Sequence, residues 1–345
     1  MKWRSMLIGL LVSAVCLYLA VRQVDVPKVL HGLAAADHWL LLPASLLTIL
    51  AFAIRAVRWG VLLFPLKPIR FGPLFSATMI GFMSNNVLPM RLGEFVRAWV
   101  IGRFAGIRGS AALATIVVER LFDLFSMIAI FVLTLFLAPI QNRQFKTLVL
   151  IGLLFGVVVL AGLLVLHLRG QRLGEVLGRF FPRRVRPRVG AMFDNFQAGL
   201  EIFRDPGRLA VTAGLTFLMW ACFAVVIRIC LASAHVVVGG QPLSISADLV
   251  LLVVIGIGIM VPSGPGFIGT MELAAVKGLE IVGYRESGPA GSFAIIYHAT
   301  QWFPIVLVGL IYLMKENLSL AQVGRLAGRE PDSADGWEPP PRGAR

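Results

Sequence analysis

The chain has 345 residues, 58% of them hydrophobic and 14% charged, with a mean hydropathy of +0.83. A soluble domain carries roughly a quarter of its residues as charges, so this balance excludes a water-soluble fold and predicts an all-α integral membrane protein. Lys and Arg number 32 against 18 Asp and Glu, a formal charge of +14 that can serve nucleic acid, anionic lipid or the orientation of helices.

In chain order, Lys2 and Arg4 precede an apolar run from Met6 to Val21. Bulky Leu17, Tyr18 and Leu19 stand where a signal peptidase needs small residues, so the run reads as a retained helix. A second span covers Trp39 to Phe64, with Arg55, Arg58 and Trp59 toward its cytoplasmic end, where the default reading is interface anchoring. Phe71 to Met90 is apolar but broken. Pro89 removes a backbone donor and biases Leu88 away from helix, so the helix is expected to stop in Ser84-Asn85-Asn86-Val87-Leu88 and a new one to start near Pro89. Asn85 and Asn86 would then offer amides beside the dipole end of a helix carrying Arg91, Gly93, Glu94 and Arg97, a place that favours a lipid phosphate. Arg91, Glu94 and Arg97 follow i, i+3, i+6 and share one side. The competing reading makes Arg97, Arg103 and Arg108 the water-facing side of an amphipathic surface helix.

The third span, Ser110 to Ala138, holds Glu119, Arg120 and Asp123. Nine residues beyond Ser110 at ~1.5 Å each put Glu119 near the middle of the bilayer core. Ionised groups there cost ~2.5 to 3.5 kcal/mol apiece, so the trio needs partners or a polar cavity. It is either an internal ion-pair lock against Arg91 or Arg97, or a substrate or proton contact. Thr147 to Leu168 is a fourth span, followed by a basic segment from Arg169 to Arg208 with nine Lys or Arg. Leu209 to Leu231 is a fifth, with Arg228 near its outer end and placed to snorkel.

The second broken stretch, Ala247 to Val282, contains Pro262-Ser263-Gly264-Pro265-Gly266, which cannot continue a helix, before a helix restarts toward Glu272. Irregular backbone at membrane depth must be buried in protein or line a cavity. Gly256 and Gly258 read as helix-packing positions. Pro289 to Met314 is the sixth span, with His298 in a hydrogen-bonded packing role. Residues 1–314 thus form one polytopic membrane domain of about six full helices plus two broken or re-entrant segments. Residues 315–345 form a short cytoplasmic tail, rich in Pro, Gly and charge from Gly328 and expected to be disordered.

With the N-terminus inside, and Arg55 and Arg58 counted at the cytoplasmic interface, 24 Lys or Arg fall on the cytoplasmic side, 5 outside and 3 within full or broken spans, so both termini are expected in the cytoplasm. Orientation and attraction to anionic lipid account for the charge without nucleic acid. The two breaks share an order of features (Pro89, Gly93, Glu94; Pro262, Gly266, Glu272) and enter from opposite sides, the arrangement an inverted repeat would produce. Cys16, Cys222 and Cys230 lie inside apolar runs and read as core. The five histidines form no HExxH or HxxxH pair, so neither a metal nor a cofactor is expected.

Four features together carry a resemblance: Arg58-Trp59, the N-x-L-P-x-R-x-G-E-x-x-R run from Asn86 to Arg97, the E-R-x-x-D of Glu119 to Asp123, and the turn from Pro262 to Gly266 followed by Glu272. The chain resembles the flippase-like family related to the transmembrane region of lysylphosphatidylglycerol synthase, over about Met6 to Met314. The resemblance implies an inner-membrane lipid translocase acting on anionic or zwitterionic phospholipid or another amphiphile. It also implies a separate lipid-synthesis enzyme as partner. No aminoacyltransferase domain is expected after Met314, so synthase activity is not carried over and the chain is not expected to be an enzyme. Ser263 and Pro265 depart from the family's plainer glycine turn. The alternatives are a secondary transporter of a small anionic or zwitterionic solute and a membrane-embedded lipid-modifying transferase.

The site residues expected to bind lipid are Asn85, Asn86, Pro89, Arg91, Gly93, Glu94, Arg97, Glu119, Arg120, Asp123, Pro262, Gly264, Gly266 and Glu272. Arg91 is expected on the phosphate, with Glu119 and Asp123 holding Arg91 or Arg120 between cycles.

Overall fold

A computed structural model describes residues 2–88, 92–137, 205–261, 263–320 and 322–323, together with seven positions between 147 and 162. The described helices are α1 (Lys2–Arg22), α2 (Val26–Ala35), α3 (Leu41–Leu63), α4 (Phe71–Val87), α5 (Gly93–Ala105), α6 (Gly109–Leu137), α7 (Pro206–Ser233), α8 (Ile245–Met260), α9 (Thr270–Ile281) and α10 (Ser287–Lys315). A two-residue antiparallel ladder, β1 (Val237–Val238) with β2 (Gln241–Pro242), turns through Gly239 and Gly240, both at positive φ, as a tight hairpin requires.

The helix ends follow local chemistry. Asp205 caps α7 by accepting from the Arg208 amide, and Pro206 fits the first turn, where its missing N–H costs nothing. Ser244 does the same for α8 through the Ala247 amide. α5 ends at Gly106 in the left-handed conformation (φ 63°), while Lys67 Nζ donates to the Ala105 carbonyl at 2.6 Å.

Three described helices are long and apolar enough to cross a membrane: His38–Leu63, Pro206–Ser233 and Ser287–Lys315. α6 has 29 residues, about 43 Å at ~1.5 Å per residue, and carries the charged trio in its first half. α1 is followed by a sharp bend of 84° into α2, whose N-cap is Asp25 and which the sequence reading did not anticipate. The expected span Thr147 to Leu168 and the basic segment to Arg208 lie largely outside the described residues.

Both broken stretches are helix-break-helix hairpins. α4 packs along α5, and α8 along α9. α4 stops at Val87, inside the expected SNNVL, and the next described helix begins at Gly93. Pro89 and Arg91, and with them the expected restart of the helix near Pro89, lie outside the described residues, as does Pro262. At the second break α8 ends at Met260 and α9 starts at Thr270, with a short turn at Pro265–Phe267 between them.

Small residues bring these hairpins together. A Cβ on Gly81 would lie 2.8 Å from the Gly93 carbonyl oxygen and 2.8 Å from Arg97 Cβ, and one on Gly93 would lie 2.6 Å from Asn85 Cγ. Gly258 meets Ala274 in the same way across α8 and α9, while Gly256 meets Met127 of α6. Overpacking at such a crossing costs about 1–3 kcal/mol. Gly93→Ala is therefore expected to lower the thermal midpoint of the detergent-solubilised protein, and Gly72→Ala, whose Cβ would meet nothing within 4 Å, to leave it unchanged.

α3 is the central helix, packed along α7 and against α4, α6 and α10. Phe52 of α3 meets Phe82 of α4 edge-on at 4.7 Å and Phe223 of α7 at 6.1 Å. Cys222 and Cys230 are buried as expected, while Cys16 is partly exposed.

Candidate functional site

Within this core lies a charged cluster built from α3, α5 and α6. Arg55 and Arg58 sit one turn apart on α3, and Glu119 and Asp123 one turn apart on α6, so the two pairs face each other across the helix contact. Arg55 Nη1 donates to Glu119 at 2.9 Å and to Asp123 at 2.8 Å. Arg58 Nη1 donates to Asp123 at 2.7 Å and to Thr216 Oγ1 at 2.9 Å, while its Nη2 lies 3.1 Å from Glu119. Arg97 of α5 adds a bond to the other Glu119 oxygen at 2.7 Å, with its guanidinium 3.8 Å above the Trp59 ring. Trp59 is itself held by its Nε1 donating to Thr115 Oγ1 at 2.9 Å. Arg58, Trp59, Arg97 and Glu119 are essentially inaccessible.

Two expectations are corrected here. Arg55 and Arg58 are not interface anchors: each long side chain turns inward to a carboxylate more than 60 residues away. Arg97 does not face water, because Val96, Ala98, Val100 and Ile101 are buried around it and α5 has no wide solvent side. Of the trio, Glu119 pairs with Arg97 as the ion-pair alternative expected, while Asp123 pairs with Arg55 and Arg58 and Arg120 pairs with Glu94. Arg108 is exposed and Arg103 lies over Trp99, closer to the amphipathic expectation.

The cluster has an open edge. Arg120, with 39% of its side chain exposed, donates to Glu94 at 3.0 Å and reaches Asp123 at 3.4 Å. Asn85 accepts from the Gly93 amide at 2.7 Å and turns its amide nitrogen toward Glu94 at 3.4 Å. The asparagine thus closes the ladder gap at the α5 N-terminus and orients Glu94, joining the first break to the charges. Phe82 covers this edge, 5.5 Å from Arg120 and 5.2 Å from Arg55.

The second break has its own polar set. Gly266 and Gly269 adopt φ of 70° and 88°, which suits glycine, and the Gly269 amide donates to Glu272 at 2.7 Å. Glu272 also meets His298 Nδ1 at 2.5 Å, while His298 Nε2 lies 2.8 Å from the Gly266 carbonyl. Ser13 of α1 accepts from the Gly264 amide at 2.8 Å. Gly264, Gly266 and Glu272 are thus brought together, though apart from the arginines. The two breaks touch: a Cβ on Gly266 would lie 3.4 Å from the Asn86 carbonyl oxygen and 2.9 Å from Trp302 Nε1. His298 has the expected hydrogen-bonded role. Arg228 does more than snorkel, since its Nε donates to Asp248 at 2.7 Å.

Of the expected site residues, Asn85, Gly93, Glu94, Arg97, Glu119, Arg120 and Asp123 form one connected unit. Arg55, Arg58, Trp59 and Thr216 were missed as its members. The signal was present: two arginines at i, i+3 inside a span have the same cost as two carboxylates at i, i+4, and the simplest remedy is each other.

Helices long and apolar enough to cross a membrane, with an ion-pair lattice buried where α3, α5 and α6 meet, are the features of a multi-pass membrane protein. The family model for the lysylphosphatidylglycerol synthase TM region matches residues 6–309, and the chain belongs to that family. It is 28% identical over 280 residues to a UPF0104 membrane protein of Methanothermobacter thermautotrophicus, covering 76% of this chain and 79% of that one. It is 22% identical over 239 residues to another from Methanocaldococcus jannaschii, covering 68% of this chain and 95% of that one. The glycosyltransferase AglD of Haloferax volcanii is 23% identical over 369 aligned positions, covering 95% of this chain but 57% of that protein. No solved structure gives a significant match.

Proposed function

We propose that the protein moves a phospholipid or other amphiphilic lipid between leaflets, with the lipid phosphate received at the Glu94–Arg120 edge of the cluster. One observation carries this reading. Arg55, Arg58, Arg97 and Arg120 face Glu94, Glu119 and Asp123, so the described cluster has one positive charge beyond its carboxylates. Arginine does not deprotonate to relieve that excess. An anionic headgroup does, and the half-exposed Arg120 is the member free to exchange Glu94 for a phosphate oxygen without breaking the buried pairs. Arg91, close in sequence to Glu94, is a second candidate for the phosphate. Asn86, at the contact between the two breaks, and Gly264 and Gly266 line the path proposed between the hairpins.

Reconstituted protein is the test. It is expected to carry headgroup-labelled phospholipid between leaflets and to leave radiolabelled small solutes outside; uptake of a solute with no lipid movement favours the secondary-transporter reading. The named glycosyltransferase relative supports a second reading, in which the held lipid head is an acceptor for transfer chemistry. Labelled sugar appearing on co-purified lipid would favour that one.

The positive charge asymmetry supports a reading in which both termini are cytoplasmic and the protein sits in the cell membrane. A cysteine introduced between Gly170 and Arg188 is expected to resist an impermeant reagent added outside intact cells; labelling from outside would reverse the orientation.

A further inference from the structure

The pairing of Glu272 with His298 fixes a proton. The Gly266 carbonyl only accepts, so His298 Nε2, 2.8 Å away, must carry hydrogen. Nδ1 and Glu272 Oε1, 2.5 Å apart, are both acceptors unless one more proton lies between them. The geometry is thus that of a dyad with one shared proton, whether written as imidazolium with carboxylate or as neutral imidazole with carboxylic acid. Both side chains are mostly shielded, at 11% and 16% exposure.

Removing that proton has a structural consequence. The neutral ring has a single N–H, so it can serve either Glu272 or the Gly266 carbonyl, and one of the two bonds is lost. The carboxylate is then left charged in a shielded place without a cation. No other charge compensates among the described residues. α9 itself presents Glu280, already paired with Lys277 at 2.7 Å, and α8, packed along it, presents only Asp248, held by Arg228 at 2.7 Å. α10 presents the buried Tyr297. α1 presents Ser13 and, as its titratable group near the break, Cys16. α4 presents Asn86, α3 presents Thr48 on Gln301, and α7 presents Cys230 on Thr300.

We infer that Glu272 and His298 form a proton-binding site that latches the second break, and that the protein releases this proton when the break opens. The latch lies against the first break through Gly266, Asn86 and Trp302. Resting on the lipid-translocation reading, the inference makes the proton the coupling ion: headgroup passage between the hairpins requires the latch to open, so lipid movement is linked to proton release. No bond to carbon or phosphorus changes; the proton leaves to water and returns from it.

The test uses the full chain in lipid nanodiscs and in proteoliposomes. Hydrogen exchange of the Ser263 to Glu272 segment, corrected for its intrinsic pH dependence, is expected to rise by about tenfold per pH unit over the range where the closed latch holds its proton and the open break does not, and to level off once the closed dyad has lost it too, the slope of a single-proton linkage. Glu272→Gln retains an oxygen for the Gly269 amide but no titrating carboxyl, and is expected to show no such rise. His298→Gln serves the same purpose should Glu272→Gln fail to fold. In proteoliposomes, wild-type lipid movement is expected to respond to a pH gradient and the variants to ignore it. Flat corrected exchange in the wild type, or the same slope in both variants, overturns the proton site. Lipid movement blind to the gradient overturns the coupling and leaves the lipid reading standing. No lipid movement at any pH, with the exchange slope present, removes the lipid reading and leaves the proton site.

Discussion

Glu119→Gln is expected to destabilise the protein by about 3–5 kcal/mol, because it removes one carboxylate from a buried set and leaves its arginines facing each other. Glu119 accepts from Arg55 and Arg97 and lies 3.1 Å from Arg58, all in a shielded core. Glutamine has the same shape but one acceptor oxygen and no charge. Arg55 and Arg58 would then share Asp123, while Arg97 would lose the carboxylate it bonds. On a total stability of about 5–15 kcal/mol such a loss is read as a large fall in thermal midpoint and in monodisperse yield. Adding Arg97→Gln removes one of the stranded cations. The double variant is expected to be more stable than the sum of the two single losses, the signature of direct coupling. Equal stability of Glu119→Gln and wild type would mean that the lattice is not a structural lock.

Arg120→Gln is expected to behave in the opposite way, keeping the fold and losing lipid movement. Its side chain is 39% exposed, and the pairs it makes with Glu94 and Asp123 are at 3.0 and 3.4 Å on the edge of the cluster. Edge pairs of this kind are worth about 0–1 kcal/mol, so stability should hardly change. Asp123 retains Arg55 and Arg58. What the variant lacks is the exchangeable cation. Movement of headgroup-labelled phospholipid by reconstituted protein is expected to fall by at least about tenfold, the equivalent of one charge-assisted hydrogen bond of ~1.5 kcal/mol or more. Arg103→Gln, which removes a guanidinium lying over Trp99, is expected to move lipid as the wild type does.

The contrast between these two arginines shows how far a sequence can be read. Pro89 and the Pro-Ser-Gly-Pro-Gly turn announce both breaks, because proline and glycine act on their own backbone and need no partner to do so. Glu119 and Asp123 announce a polar interior for a similar reason: their depth in a span follows from counting residues. The partner of each charge is another matter. Arg55 and Arg58 meet carboxylates on a helix whose approach depends on tertiary packing, and position along a span says nothing of which neighbour stands beside it. Arg97 misled for the same cause, since spacing along α5 cannot show that α4 and α6 close over it. Gly81 and Gly93, which permit that closure, carry no charge to draw notice. α2 was missed because ten residues opened by Asp25 and Pro27 are too few to stand out as a span, although both residues are helix-start signals.

The central claim is that the edge of this cluster receives a lipid phosphate, and the direct measurement is of the lipid retained by the purified protein. Wild type, Arg120→Gln and Arg103→Gln, extracted under matched conditions and analysed by mass spectrometry, are to be compared for bound phospholipid per chain. Wild type and Arg103→Gln are expected to retain the same anionic or zwitterionic species, and Arg120→Gln to lose it while remaining folded. Equal retention of that species by folded Arg120→Gln would contradict the assignment of the phosphate to this edge.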